Sequence, residues 1–498
     1  MMLYTTTRLS APSRISTRIA KAFGSSSSYT RRDLLAATTA VSATKQSVEG
    51  STRSWSENSK EVDCDDGGAS SPWDRYLAGG AGGISCTVVD KASQRVKLSW
   101  TDGHHSEFSF TWLRDHSTDA FNPRTRQREL DTFRVSNDVL VEEASVTANF
   151  HENDDDPKPA DARQYQVLTL CWSVDPIQPD RESTIPVNWL RQHCTSSVAR
   201  DLRRRYGAAS EGVACQSSRL LWGADVFTAG NNPPCLEYDQ IMKVDQSQPQ
   251  LLPGVVRLIG LLRSHGIALV RGVPTDMAGT EALARKIGHP RSTLYGSDMW
   301  ATSAEADSEE EAFKDSAYSN GSLRSHTDCT YLVDPPGLQV FNCVYTAAKG
   351  GASTYVDGFA VAERLRVESP EAFEFFSSTP LSYHCFDEGC HYAAKGPIFR
   401  LGTLGEMIEV RHNDYDRAPL DYLSNDDIDR FYKYHQHLSE IIRDPAMVAR
   451  FELQPGDTVI LDNHRTMHGR ESFEGRRRLI GCYIGMDELM SSARVYGL

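Results

Sequence analysis

The chain is predicted to be mainly β with flanking helices: a small β-rich domain, then a larger domain of sandwich, jelly-roll or barrel type. Three observations lead there. Residues 84 to 193 hold short segments of period two separated by turn residues. From about Ile267 onward many short apolar runs are bounded by Gly, Pro, Asn or Asp, and few stretches carry the 3.6-residue period of a helix. At 498 residues the chain is also too long for a single core.

In chain order, Thr87 to Val89, Arg95 to Trp100, Glu107 to Trp112 and Tyr165 to Trp172 alternate as antiparallel strands do, with Thr101-Asp102-Gly103 as a turn. The acidic run Glu152 to Asp161 interrupts them and reads as an exposed loop. A helix around Val255 to His265 leads into Ile267 to Val270, an apolar run typical of a buried strand. Further strands are expected at Leu338 to Val344, Ser353 to Val356, Ile398 to Leu401, Met407 to Val410, Thr458 to Leu461 and Leu479 to Ile484. The helix Asp426 to Ile442 places Ile428, Phe431, Tyr432, His435, Leu438 and Ile442 on one face, which reads as packing.

Composition narrows the function. The apolar fraction of 39%, 35 glycines and 22 prolines are ordinary for a globular protein. A formal charge of −14 argues against nucleic acid as a partner. Eleven cysteines without a C-x-x-C pair suggest neither a disulfide framework nor a zinc ribbon, and no apolar run reaches the roughly 18 residues of a membrane span. Small-molecule chemistry is expected. From Met1 to Arg32 there is no Asp or Glu, while Arg8, Arg14, Arg18, Lys21, Arg31 and Arg32 alternate with Ser and Thr. That is transit-peptide composition, so import to the mitochondrial matrix is expected, and residues 1–72 are set aside as transit peptide and disordered linker.

His326 and Asp328 are two apart, and in a strand or at its end such residues project to one side, so they can share a metal. A second imidazole is supplied by His464 or His468, in Asp462-Asn463-His464-Arg465-Thr466-Met467-His468-Gly469-Arg470. Two His and one carboxylate on a face of iron(II) leave open positions for a cosubstrate and oxygen.

The text around these residues resembles a known family. His326-Thr327-Asp328-Cys329-Thr330-Tyr331, Pro336 to Val340, Gly350-Gly351-Ala352-Ser353-Thr354-Tyr355-Val356-Asp357-Gly358-Phe359 and Asp462 to Phe473 resemble the trimethyllysine and γ-butyrobetaine dioxygenases of carnitine synthesis, from about Leu220 to the C-terminus. The resemblance implies a double-stranded β-helix over residues 220–498, preceded by the small β-domain at 84–205. It implies iron(II) held by His326, Asp328 and His468, which precedes Gly-Arg, with 2-oxoglutarate and O2 as cosubstrates and ascorbate as reductant. Oxidative decarboxylation to succinate would then drive hydroxylation of an unactivated carbon.

The distal carboxylate of 2-oxoglutarate needs a bidentate donor, and Arg477 stands at the family's arginine position, with Ser353 as a second contact. A quaternary ammonium cannot donate a hydrogen bond and is held by aromatic faces. Tyr295, Trp300, Tyr318 and Tyr483 fall at the family's cage positions, with one extra residue between Tyr295 and Trp300 that must bulge. Asp315 offers a carboxylate where butyrobetaine enzymes have Asn, and an anion there suits the α-ammonium of trimethyllysine. Asn413, Asp414 and Arg417 match a family element near the substrate.

The expected ligand is thus a quaternary-ammonium amino acid; a homodimer is compatible with the sequence. The alternatives are γ-butyrobetaine hydroxylation and a non-catalytic betaine-binding protein on the same fold. The family's structural zinc is not expected, because Trp112-Leu113-Arg114-Asp115-His116 continues without cysteine, and His104, His105 and His116 read as surface or turn residues.

Overall fold

A computed structural model describes residues 76–78, 80–149, 165–174, 182–206, 219–228, 233–243, 252–296, 298–304, 319–387 and 389–496. The acidic run 152–161, and Asp315 and Tyr318, lie outside them.

Two sheets build the C-terminal part. The major sheet has seven strands, in the order Trp300–Ala304, Arg477–Ile484, Leu338–Tyr345, Thr458–Asp462, Ile267–Arg271 and Cys235–Glu237, with Pro290–Arg291 beside Arg477–Ile484. The minor sheet runs Leu323–His326, Thr466–Arg470, Ser353–Asp357, Ala449–Phe451. The uninterrupted apolar runs in the major sheet follow from burial on both faces. Ile267, Leu269, Val459 and Leu461 pack with Tyr355 of the minor sheet. Their alternates Ala268, Val270 and Ile460 pack under Leu258, Ile259 and Leu489 of the helices Pro253–His265 and Met486–Val495.

The helix Pro253–His265 opens with Pro at its first turn and ends at Gly266, whose φ of 71° is left-handed and whose missing side chain leaves room for Arg465. The helix Asn425–Arg443 is capped by Ser424 and buries Phe431, Leu438, Ile441 and Ile442. Tyr432, expected on the packed face, is 57% exposed: it adjoins Phe431 at an angle of 100° around the axis, past the edge of the apolar stripe. The helices Gly358–Glu368 and Pro370–Ser378 each bury one broad face, Phe359, Val361, Ala362 and Leu365 in the first and Ala372, Phe373, Phe375 and Phe376 in the second.

The turn between the last major-sheet strand segment and Thr466–Arg470 is held by a buried ion pair. Arg465 donates from Nε and Nη2 to the two oxygens of Asp357, at 3.0 and 2.8 Å, and their side chains are 1% and 0% exposed. Its remaining donors reach the carbonyls of Ser264 and Leu220, at 2.8 and 2.5 Å. Asp357 also caps Gly358–Glu368 by accepting from Phe359 N.

The N-terminal strands form two three-stranded antiparallel sheets, Ile84–Asp90, Arg95–Trp100, His105–Ser109 and then Leu140–Asn149, Tyr165–Val174, Glu182–Pro186. Each is followed by a short helix, Phe110–Asp115 and Val187–Gln192, so the strand expected to run through Trp112 ends at Ser109 because Phe110, Leu113 and Arg114 bury a helical face. The two units repeat one pattern. Trp112-Leu113-Arg114-Asp115-His116 and Trp189-Leu190-Arg191-Gln192-His193 each place a His Nδ1 2.9 Å from the Trp carbonyl, and Trp100 and Trp172 donate to Ser106 and Ser183 at 2.8 and 3.0 Å. His105 is exposed, whereas His116 stacks on Trp112 and His104 sits half-buried against Tyr76, 3.3 Å from Cys194 Sγ. His104 and His116 are thus part-buried rather than surface residues, though His104 does follow the turn 101–103; a lone His in a turn carries no sign of its distant ring partners.

Removing one member of a buried pair leaves the other charge stranded, so Arg465→Met is expected to cost about 3 to 5 kcal/mol of unfolding free energy. Chemical denaturation measures this; a loss below roughly 1 kcal/mol, the range of an exposed pair, would refute it.

Candidate active site

The strand Leu323–His326 lies antiparallel to Thr466–Arg470 with His326 directly opposite His468, and their rings are 4.4 Å apart. After His326 the backbone leaves the sheet. Thr327 N donates to the His412 carbonyl and Asp328 N to Asn463 Oδ1, both at 2.8 Å, and Cys329 takes a φ of 58°. Asp328 therefore reaches the imidazoles through a turn and not through strand alternation, a correction to the sequence argument. Its Oδ1 lies 3.2 Å from His326 Nε2 and 3.7 Å from His468 Nε2.

The arrangement has the chemistry of a metal donor set. One ligand atom from each of His326, Asp328 and His468 lies within 4.8 Å of the others. His326 Nδ1 is 2.7 Å from the Arg324 carbonyl, which assigns the proton to Nδ1 and turns the Nε2 lone pair inward. Burial holds His468 down to about 4, and its Nδ1 has no partner among the described residues. Burial opposes a charge on Asp328, yet the two imidazoles and Tyr483 hold its carboxyl well below the usual range. A neutral imidazole and an ionised carboxylate suit a divalent cation. His464 is not part of the set: its Nε2 is 3.1 Å from the Pro335 carbonyl.

The outer oxygen of Asp328 is fixed by two residues of the major sheet. Tyr483 donates its hydroxyl at 2.8 Å and Gln339 donates from Nε2. Tyr483 was expected as a cage aromatic; it lines the cavity as such and also grips the carboxylate. Gln339 was not foreseen, since a glutamine inside an apolar strand has no local signature.

The surrounding cavity brings together Ser353, Arg477, Tyr295, Trp300, Tyr483 and Asn413 with the three metal candidates. Arg477, 8% exposed, makes no ion pair among the described residues and donates to Ser353 Oγ at 3.4 Å. A buried guanidinium without a carboxylate is costly, so this one is suited to a carboxylate from outside the chain. Trp300 and Tyr295 lie 5.7 and 6.4 Å from the Tyr483 ring. Thr293 and Gly296 bond each other in a turn at Tyr295, and both aromatics reach the cavity. Gly481 makes this fit, because a Cβ there would meet the Trp300 ring at 2.8 Å. Tyr331, which donates to Tyr295 at 3.5 Å, and Asp416 also line the cavity and were missed.

The family described as taurine catabolism dioxygenase TauD, TfdA family matches residues 234–483. The chain belongs to this dioxygenase family. A second description, γ-butyrobetaine hydroxylase-like N-terminal, matches residues 87–150. Trimethyllysine dioxygenase, mitochondrial, of Homo sapiens is 31% identical, covering 78% of this chain and 83% of that protein. Gamma-butyrobetaine dioxygenase of a Pseudomonas species is 28% identical, covering 80% and 92%. A crystal structure of a taurine dioxygenase from Burkholderia xenovorans overlays loosely, with 17% identity, 50% and 86% coverage and a TM-score of 0.38. The chain is a 2-oxoglutarate-dependent dioxygenase, and iron and 2-oxoglutarate are its cofactors.

In this TauD-family site two expectations change. Asp414 and Arg417 do not line the cavity but a separate cleft, and Asn413, which does line it, spends its amide on Asp416 and Tyr415 at 2.9 Å each. The physical reason is that the chain turns at residues 414–416, which leaves Asn413, Tyr415 and Asp416 on the cavity side and Asp414 and Arg417 on the other.

Because Tyr483 orients a metal candidate, Tyr483→Phe is expected to weaken iron(II) binding about 10- to 100-fold. Anaerobic iron titration checks this. Unchanged iron affinity with a raised KM for the prime substrate would assign Tyr483 to the cage alone.

Proposed function

We propose that the chain hydroxylates N6,N6,N6-trimethyllysine at carbon 3, with His326, Asp328 and His468 holding iron(II), on a double-stranded β-helix made by the two sheets. One observation carries it: the His–Asp–His set shares a cavity with a buried guanidinium that makes no ion pair among the described residues and with a cluster of aromatic faces. The relatives named trimethyllysine dioxygenase support the choice of substrate.

When bound, iron(II) with 2-oxoglutarate and O2 supplies the oxidising power, placing one oxygen atom in the substrate hydroxyl and the other in succinate as CO2 leaves. The chain's own residues bind and orient. Arg477 receives the distal carboxylate of 2-oxoglutarate, with Ser353 beside it, and burial strengthens that pairing. Tyr483 and Gln339 keep the outer oxygen of Asp328 engaged, so that only its inner oxygen faces the imidazoles. Tyr295, Trp300 and Tyr483 present π faces to the trimethylammonium, each contact worth roughly 0.5 to 2 kcal/mol. These rings also keep water from the reacting carbon. Tyr318 completes the cage and Asp315 receives the α-ammonium; this assignment rests on the sequence.

Ascorbate would keep the iron reduced. The composition of Met1 to Arg32, together with the mitochondrial names of the relatives, supports import to the mitochondrial matrix. No helix among the described residues is long and apolar enough to cross a membrane.

Succinate formation with iron(II), ascorbate and 2-oxoglutarate should rise on adding trimethyllysine and not γ-butyrobetaine. Stimulation by γ-butyrobetaine alone would replace the substrate reading, and no stimulation by either would favour a betaine-binding protein. Asp315→Asn should lower turnover of trimethyllysine selectively, and equal effects on both betaines would remove its role. Arg477→Lys should raise KM for 2-oxoglutarate about 10- to 100-fold, as loss of a bidentate charged contact of roughly 1.5 to 3 kcal/mol implies.

A further inference from the structure

A second cluster of metal-ligand residues lies outside the catalytic cavity. His412 and Asp414 follow the strand Met407–Val410, and His435 projects from the helix Asn425–Arg443. One ligand atom from each lies within 4.8 Å of the others. Asp414 Oδ1 is 2.9 Å from His435 Nε2, and the His412 and His435 rings are 5.8 Å apart. His412 is buried, its backbone bonded to Thr327, yet its ring makes no hydrogen bond among the described residues. That ring stands beside a carboxylate and a second imidazole.

We propose that His412, Asp414 and His435 form a second metal site, for a divalent transition metal of the zinc class, distinct from the iron site. The donor types fit: two imidazoles and one carboxylate supply three ligands and leave a fourth position open. A neutral imidazole and an ionised carboxylate are the ligating forms of these side chains. Ser439 Oγ is 3.3 Å from His435 Nδ1 and accommodates either tautomer. Without metal, His435 donates from Nε2 to Asp414 and accepts from Ser439. With metal, Nε2 ligates and Nδ1 donates to the serine, so binding requires proton relocation and no rearrangement of the backbone.

Arg417 Nε stands 3.5 Å from Asp414, and Arg324 and Arg443 edge the same cleft. These cations lower affinity for a bare ion and suit a small anion or hydroxide on the open position. The site would tie the helix Asn425–Arg443 to the loop carrying Asn413, Tyr415 and Asp416 into the catalytic cavity.

The test counts metal with the iron site removed, so its outcome is independent of the proposed reaction. The full chain carrying His326→Ala and His468→Ala is dialysed against zinc, and the retained metal is measured by mass spectrometry. One zinc per chain is expected, with a raised Tm, and both are lost on adding His435→Gln. Cobalt(II) in place of zinc should give the intense visible absorption of a four-coordinate site. No retained zinc, or zinc unaffected by His435→Gln, overturns the proposal. If the double replacement does not fold, the unmodified chain is loaded anaerobically with iron(II) and 2-oxoglutarate: one zinc beside the iron supports the site, and none overturns it.

Discussion

Arg465 and Asp357 meet fully buried at the point where the chain passes from the major sheet to the minor one. A charge removed from solvent must find all its hydrogen bonds within the protein, and this guanidinium finds them on Asp357 and on the carbonyls of Ser264 and Leu220. A strand end, a helix end and an N-terminal loop of the catalytic part are thereby referred to one turn. His468 lies three residues further on, opposite His326. The geometry of the proposed iron site thus rests in part on a pair outside that site, and the cost of burying two charges is offset by what they position.

The catalytic cavity carries its own unbalanced charges. Arg477 is buried without a carboxylate among the described residues, and Asp328 lies against two imidazoles in a space walled by Trp300, Phe341 and Tyr483. Such a site is poorly satisfied by the protein and well satisfied by a dicarboxylic cosubstrate and a cation. Tyr483 joins the two requirements in one side chain, since its hydroxyl orients the carboxylate while its ring faces the cavity. Gly481, two residues earlier on the same strand, leaves the room in which Trp300 lies.

The loop 411–417 divides its residues between two clefts. Asn413, Tyr415 and Asp416 face the cavity, whereas Asp414 and Arg417 face the outer cleft beside His435. Thr327, between His326 and Asp328, bonds the backbone of His412. The helix Asn425–Arg443 is therefore connected to the backbone between His326 and Asp328 and to the cavity wall by short contacts.

The sequence alone determined the strand-rich class, most strand positions in the C-terminal part and the close spacing of His326 and Asp328, because these signals are local: apolar runs between turn residues and motifs a few residues long; Arg477 and Ser353 came from the family resemblance, and the structure brings both into one cavity with that pair. It left His464 and His468 as equals until a family resemblance separated them; the structure separates them physically, since one strand register carries His468 to His326 and a turn sends His464 to Pro335. Tertiary structure alone revealed Gln339, Tyr331 and Asp416 at the cavity, the repeat of the N-terminal sheets, and His435 beside Asp414. Each depends on a partner far along the chain, and a helical or strand period reports which face is apolar without reporting what stands across from it.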